Sequence, residues 1–360
     1  MPSNPLHDLF AASAARMGQY GGVETASVFS DVAAEFRELA EGCALYDLGW
    51  RAKIEVKGED RVRWLNGMVT NNVKDLPVGR GNYSFVLNPQ GRILGDLYAY
   101  NFGNHFLLDT ERSQVDALLK LFEHFIIMDD VELADKSEAL AAIGLQGRCA
   151  PSALKAAGLS DPGIEPMQIA TLNWNSTTVY LTRMVSDDFL TYELWGTPTV
   201  LAALWKELLE SGAKPVGSEA LEKFRVAIGF PKYGTDIRER DLPQETEQKH
   251  ALNFTKGCYI GQEIVERIRS RGNVHRKFQA FVLEGEVPER GAKLEADGKE
   301  VGELTSVARI PTSDGERPVA LGYIRREALE RHAGITYAGG EATPAEKMPL
   351  SVVSQGSLAS

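Results

Sequence analysis

The sequence predicts an α+β protein that ends in a small all-β unit. Three observations carry that reading. Apolar residues recur at helical spacing in several separate segments, strand-like runs lie between them, and the two do not alternate in the regular βαβ manner of a parallel sheet. After Gly272 the remaining apolar runs are separated by turns rich in Gly, Pro, Asp and Glu, as in a small barrel. At 360 residues the chain holds two or three domains with a substantial core.

Taken in order, residues 1–29 are mixed and Ala-rich and define no element. Ser30 is placed to cap a helix in which Val32, Ala33, Phe36, Leu39 and Ala40 share one face, and Gly42 closes it. Residues 52–57 alternate like a strand, and 60–65 fit a short helix. Between Asn82 and Tyr100, two apolar runs flank Asn88-Pro89-Gln90-Gly91, a turn signal that predicts a hairpin. Val115, Leu118, Leu119 and Phe122 predict an amphipathic helix. A second covers 200–209, with Pro198 in its first turn and Gly212 past its end, and a third covers 218–228. Strand-like runs occupy 177–182 and 190–195. The β-rich runs 277–283, 299–310 and 318–324 place a boundary near residue 275, and the tail beyond about Ala338 reads as partly flexible.

Hydrophobic residues make up 43% of the chain and charged residues 25%, ordinary proportions for a soluble globular protein. A net charge of −11 argues against a non-specific nucleic-acid binder. One stretch runs the other way. From Lys249 to Lys277, seven Lys and Arg residues face only two acids, Glu263 and Glu266. A solvated charged face explains this, and so does a site for an anionic ligand or RNA phosphate, with Arg267, Arg269 and Arg271 as contacts. The three cysteines, Cys43, Cys149 and Cys258, form no C-x-x-C pair and fit no disulfide framework, which points to a reducing cytoplasm. No signal peptide is evident, and no apolar run approaches the roughly 20 residues of a membrane helix. No zinc pattern, Walker loop, Rossmann fingerprint or G-x-S-x-G elbow occurs, so no metal site is expected.

The most specific stretch is Lys256-Gly257-Cys258-Tyr259-Ile260-Gly261-Gln262-Glu263. Gly257 and Gly261 permit backbone conformations that a β-carbon opposes, or let a ligand approach the main chain. Residues 263–268 fit a short helix, so Cys258 falls on a loop before a helix N-terminus with Lys256 beside it, surroundings that favour thiolate. A lone cysteine here is more simply a small packed hydrophobe. The whole octad resembles the signature of the YgfZ family, folate-binding proteins tied to iron–sulfur cluster maintenance. That family is a branch of the superfamily of the glycine-cleavage T-protein, an aminomethyltransferase.

Three further segments resemble that superfamily, in the expected order. In the segment from Gly81 to Asp96, Tyr83 precedes Asp96 by thirteen residues, as in the superfamily's folate segment. The aminomethyltransferases carry a pair of acids there, and this chain has Gly95-Asp96, a departure expected to weigh against the transfer chemistry and not against folate binding. In Leu190-Thr191-Tyr192-Glu193-Leu194, the resemblance assigns Glu193 to the pterin ring. Arg225-Val226-Ala227-Ile228-Gly229-Phe230-Pro231-Lys232-Tyr233-Gly234 matches the helix-ending arginine and Tyr-Gly pair, and implies that Arg225 contacts the carboxylate end of folate. Leu242-Pro243-Gln244-Glu245 is shared with the YgfZ branch.

The resemblance implies interlocked α+β lobes around a central folate channel, with a C-terminal β-barrel. It divides the chain into an extension over 1–30, a folate-binding region over 31–250, the signature segment 251–276, the barrel 277–340 and a tail from 341. Tetrahydrofolate or a one-carbon derivative is the implied ligand, bound by Tyr83, Asp96, Glu193, Arg225 and Tyr233. Cys258 and Lys256 are the implied working groups, within a signature completed by Gly257, Tyr259, Gly261, Gln262 and Glu263. The expected role is support of iron–sulfur cluster assembly or repair, including that of tRNA-modifying enzymes, with those enzymes or assembly factors as partners. One cysteine cannot hold a cluster, which usually takes four thiolates. The alternative is a tetrahydrofolate-dependent aminomethyltransferase or methyltransferase.

Overall fold

The computed structural model describes residues 4–160, 163–185, 189–272, 274–312, 315–331 and 334–345. They fall into two compact units, Met1–Ser84 with Asp96–Leu221, and Phe85–Gly95 with Glu222–Ser360. Residues 31–250 are therefore distributed over both.

Two sheets carry the first unit, and the hairpin tip of one of them, Phe85–Gly95, is counted with the second unit. One has the strand order Gly81–Leu87, Ile93–Asn101, Phe106–Glu111, Arg51–Lys57, Glu132–Asp135. The other runs Ile169–Trp174, Thr177–Arg183, Thr191–Gly196, Ala141–Gly147, Cys43–Asp47, Lys214–Val216, antiparallel except for the last pair. Helices Pro198–Glu210 and Ala150–Ala156 contribute Leu201, Leu204, Trp205 and Leu154 to the core beside the second sheet. Residues that gave no signal in sequence complete this unit. A short helix, His7–Ala11, and a hairpin, Arg16–Tyr20 with Val23–Val28, precede residue 30. Phe10 is fully buried, with its ring 4.9 Å from Trp205. Such single anchors have no periodicity to reveal them.

The helix expected from Ser30 is Val32–Glu41, and its cap is Asp31, whose carboxylate accepts from the Ala34 amide at 2.9 Å. Ser30 is engaged elsewhere. Its amide and that of Phe29 both donate to buried Glu35, at 2.6 and 2.8 Å. The hairpin predicted around Asn88–Gly91 is present, closed by the Gly91 and Asn88 amides, each 2.9 Å from its acceptor.

In the second unit, six strands close a barrel in the order Arg276–Gly285, Gly315–Arg325, Lys299–Thr312, Lys293–Ala296, Thr336–Tyr337, Gly340–Ala345. The flexible tail expected beyond Ala338 is corrected at its start: Gly340–Ala345 pairs with Arg276–Gly285 and supplies backbone partners along that edge. Residues 346–360 lie outside the described residues. The helix after the octad is Gln262–Arg271, longer than the 263–268 expected. No helix among the described residues is long and apolar enough to cross a membrane.

Candidate functional site

Strand alternation gathers one set of chemistry-bearing side chains in the first unit. On Arg51–Lys57, the residues Arg51 and Lys53 share a face, while Ala52, Ile54 and Val56 turn into the core. Lys53 lies directly across from Asp109, and Asp109 directly across from Tyr98, so one row crosses three strands. Asp96 and Tyr100 stand two residues either side of Tyr98 and therefore point the same way. Tyr83 joins from the next strand with its ring 4.9 Å from that of Tyr98.

Tyr83 and Asp96, singled out by their spacing, are in contact. The Tyr83 hydroxyl donates to Asp96 Oδ2 at 2.6 Å. Gln114 donates to Oδ1 at 2.8 Å and accepts from the Asp96 amide at 2.9 Å, so both oxygens are aimed. Gln114 carried no signal in sequence. Gly95 is buried and, by strand alternation, faces away from Asp96. An acid at 95 would not share the Asp96 face, so the missing carboxylate does not separate the two functional readings as expected.

Glu193 is 6% exposed on the facing sheet. Trp195, two residues on and thus on the same face, donates its Nε1–H to Glu193 Oε2 at 2.9 Å. The Trp195 ring lies 4.2 Å from Lys53 Nζ, and the Lys53 ammonium donates to Asp109 at 2.6 Å. Arg51 adds hydrogen bonds to Asp109, the shortest 2.6 Å. Burial pushes Asp109 up, but Arg51 and Lys53 outweigh it and hold the carboxyl below its usual range. Burial raises Glu193, Asp109 adds to the rise, and Lys53, Arg51 and the Trp195 N–H oppose it. Gly144 sits opposite Glu193 in register, and a β-carbon there would fall 2.0 Å from the Tyr46 ring, so the ring can lie across the strand only at a glycine. Arg51, Lys53 and Asp109 were not singled out in sequence. The available signal was a lysine and an aspartate inside otherwise buried strand runs, which demands pairing.

The octad belongs to the second unit. Gly261 caps the helix at φ +83°, and a β-carbon there would lie 2.6 Å from the Asn88 carbonyl oxygen. Gly91 in the hairpin tip has φ +71°, with Ile264 Cβ 2.8 Å from where its own β-carbon would be. Gly257 has no such requirement: its surroundings are open, and it is not in the left-handed region. Cys258 is exposed, and Cys43, Cys149 and Cys258 are all free thiols. Tyr259 is buried, Gln262 opens the helix, and Glu263 is exposed in an ion pair with Arg267 at 2.7 Å. Lys256 is 8% exposed with its ammonium 5.1 Å from the Tyr259 ring centre, and burial pushes it down to about 7. The positive charge expected beside Cys258 is thus only partial at neutral pH.

Arg225, expected at the carboxylate end of folate, is surrounded by protein acceptors. Its Nη1 donates to Asp236 and to the Phe230 carbonyl, both at 2.6 Å. Its Nη2 donates to Glu222 at 2.6 Å and Ser306 at 2.8 Å, and its Nε to Glu222 at 3.0 Å. All five N–H groups are engaged by protein, so Arg225 clamps the barrel to the preceding helix end within this unit. The Tyr233 hydroxyl donates to the Leu94 carbonyl at 2.7 Å and holds the hairpin tip.

Comparison with known proteins agrees with this architecture. Residues 6–256 match the GCVT N-terminal domain family, and the chain belongs to it, within the aminomethyltransferase superfamily. Residues 274–352 match the C-terminal β-barrel domain of CAF17, a combination consistent with the YgfZ branch. The family match begins at residue 6, so it takes in residues 6–30 of the expected 1–30 extension. Curated relatives include an aminomethyltransferase of Symbiobacterium thermophilum, 28% identical over 89% of this chain and 88% of its own. Another, from Thermus thermophilus, is 26% identical over 98% and 99%. The solved glycine cleavage system aminomethyltransferase T of Bartonella henselae superposes with a TM-score of 0.86 over 97% of this chain and 98% of its own, at 22% identity, and so shares the fold.

Proposed function

We propose that this chain is a folate-binding protein of the YgfZ type that supports assembly or repair of iron–sulfur enzymes, tRNA-modifying enzymes among them, in the cytoplasm. The observation that carries the folate reading is Glu193. It is a buried carboxylate aimed by Trp195, and its Oε1 receives no donor from the described residues. That geometry suits the amidine-like N–H edge of a pterin, which a carboxylate fixes in position and orientation. Asp96, held by Tyr83 and Gln114, would stabilise positive charge on a folate amine nitrogen. The octad and the barrel match support the YgfZ side, with exposed Cys258 as the working thiol and Lys256 as a neighbouring amine that changes charge near neutrality.

Calorimetry of tetrahydrofolate binding tests the site. Glu193→Gln keeps the shape and loses the charged acceptor, which costs about 1.5–3 kcal/mol of affinity. An unchanged affinity removes Glu193 from the site. In cells lacking the native protein, Cys258→Ala should bind folate normally yet fail to restore iron–sulfur enzyme activity.

Aminomethyl transfer is the second reading, favoured by the names of the curated relatives and by the finding that Gly95 does not weigh against it. Robust formation of methylenetetrahydrofolate from an aminomethyl-lipoyl carrier protein would promote it over the first.

A further inference from the structure

Apart from Lys256, the basic strip from Lys249 to Lys277 has no part in the proposed function, and its members take different roles in the second unit. Arg267 pairs with Glu263, and Arg276 is engaged by Asp241 and Glu245 at 2.6 and 3.0 Å. Lys249, Arg269 and Lys277 instead line one groove of about 440 Å³, where Arg326 joins them. Among the described residues lining it, Glu247 is the one acid. It pairs with Lys277 at 3.2 Å and Lys249 at 3.5 Å, while Arg326 and Arg269 lie 3.3 and 3.6 Å from Glu330 and Glu266. Long, solvent-facing ion pairs of this kind contribute little and exchange readily, so these cations can turn to a ligand.

The rest of the groove is not that of a simple anion patch. Leu252, Phe254 and Ile268 give it an apolar floor, and the Arg269 guanidinium lies 4.3 Å from the Phe254 ring centre. In the wall, Gln244 donates its Nε2–H to the Val265 carbonyl at 2.9 Å and leaves its buried Oε1 without a donor. A matching ligand is planar and apolar at one end and anionic at the other. The volume lies within the usual range for small-molecule sites, about 300–1,000 Å³.

We propose that this groove binds a nucleotide. The base packs on the Arg269–Phe254 pair, and the phosphates lie among Lys249, Lys277 and Arg326. Arginine planes and aromatic rings are the usual partners of an unstacked base. The same chemistry comes from a free nucleotide or from a nucleotide within single-stranded RNA.

Calorimetry on the full chain distinguishes these, with ADP, adenosine, inorganic phosphate and a five-residue oligoadenylate as probes. ADP should bind saturably, at least tenfold more tightly than adenosine or phosphate, and more weakly as salt rises. Lys277→Gln and Arg326→Gln, checked for folding by circular dichroism, should each weaken ADP binding about tenfold. Phe254→Leu should weaken ADP and leave phosphate unaffected. An oligoadenylate more than tenfold tighter than ADP assigns the nucleotide to RNA, and equal affinities assign it to a free ligand. Absence of saturable binding of ADP and oligoadenylate at millimolar concentration overturns the proposal. So does phosphate binding as tight as ADP, affinity unchanged in both charge variants, or stoichiometric displacement of ADP by tetrahydrofolate.

Discussion

Two lysines show how differently the two chemically distinctive regions handle a buried cation. Lys53 is wholly inaccessible, yet its ammonium donates to Asp109 at 2.6 Å, with Arg51 on the same carboxylate and Glu193 close by. Lys256 is nearly as buried, but it lies beside the Tyr259 ring, and burial brings it to about 7. Burial lowers both amines, and at Lys53 the carboxylates of Asp109 and Glu193 oppose it, leaving the amine still below its ordinary range. The first arrangement fixes orientation through shared hydrogen bonds, as a site that holds one ligand edge requires. The second leaves the charge variable at the pH where the neighbouring thiol would work.

Removing one member of the Lys53 network is the hardest test of that contrast. Asp109→Asn leaves Arg51 and Lys53 buried without their shared anion, and should destabilise the fold by about 3–5 kcal/mol in urea titrations. A loss below about 1 kcal/mol would mean that solvent reaches the row and that its charges are not fixed by burial.

Lys256 should give a smaller effect of opposite sign. Below pH 7 the amine is charged in both folded and unfolded states, and the folded state bears the full burial penalty. Between about 7 and its ordinary value of 10.5 the unfolded state alone holds the proton, so stability rises with pH. Lys256→Met should therefore stabilise the protein by about 1–3 kcal/mol at pH 6 and by progressively less towards pH 10. Thermal melts that show the same gain at both pH values would place the normal amine pKa back on Lys256.

The exposed thiol should matter least to stability. Cys258→Ala is expected to change the unfolding free energy by less than about 0.5 kcal/mol, because the side chain is at the surface. A larger loss would mean that the segment around Cys258 is packed as the buried row is.

What the sequence revealed follows how far apart the interacting residues are. The Asn88–Gly91 turn is local and joins the two strands that carry Tyr83 and Asp96, so the hairpin was legible and the spacing of that pair was too. Lys53 and Asp109 are 56 positions apart and meet only through sheet register, which no local pattern encodes. The same holds for Arg225, whose residue type fits a folate carboxylate but whose actual partners Asp236 and Ser306 depend on the barrel closing. In the barrel, Lys293–Ala296 and Thr336–Tyr337 are too short for alternation to register, and their pairing is non-local. Glycine composition overstated Gly257 and was right for Gly261, because only a backbone angle and a neighbour's distance tell the two apart.

The hairpin tip also sets an order of events during synthesis. Phe85, Val86, Leu87 and Ile93 are all but fully buried, and they belong with residues 222–360. The ribosome makes them well before Gly261 and Ile264, the residues whose close approach Gly91 and Asn88 accommodate. Throughout the emergence of the intervening chain, this apolar β-turn must wait uncovered, a ready strand edge for the wrong partner. The glycines at 91 and 261 therefore permit a late, tight closure over a segment that was finished early.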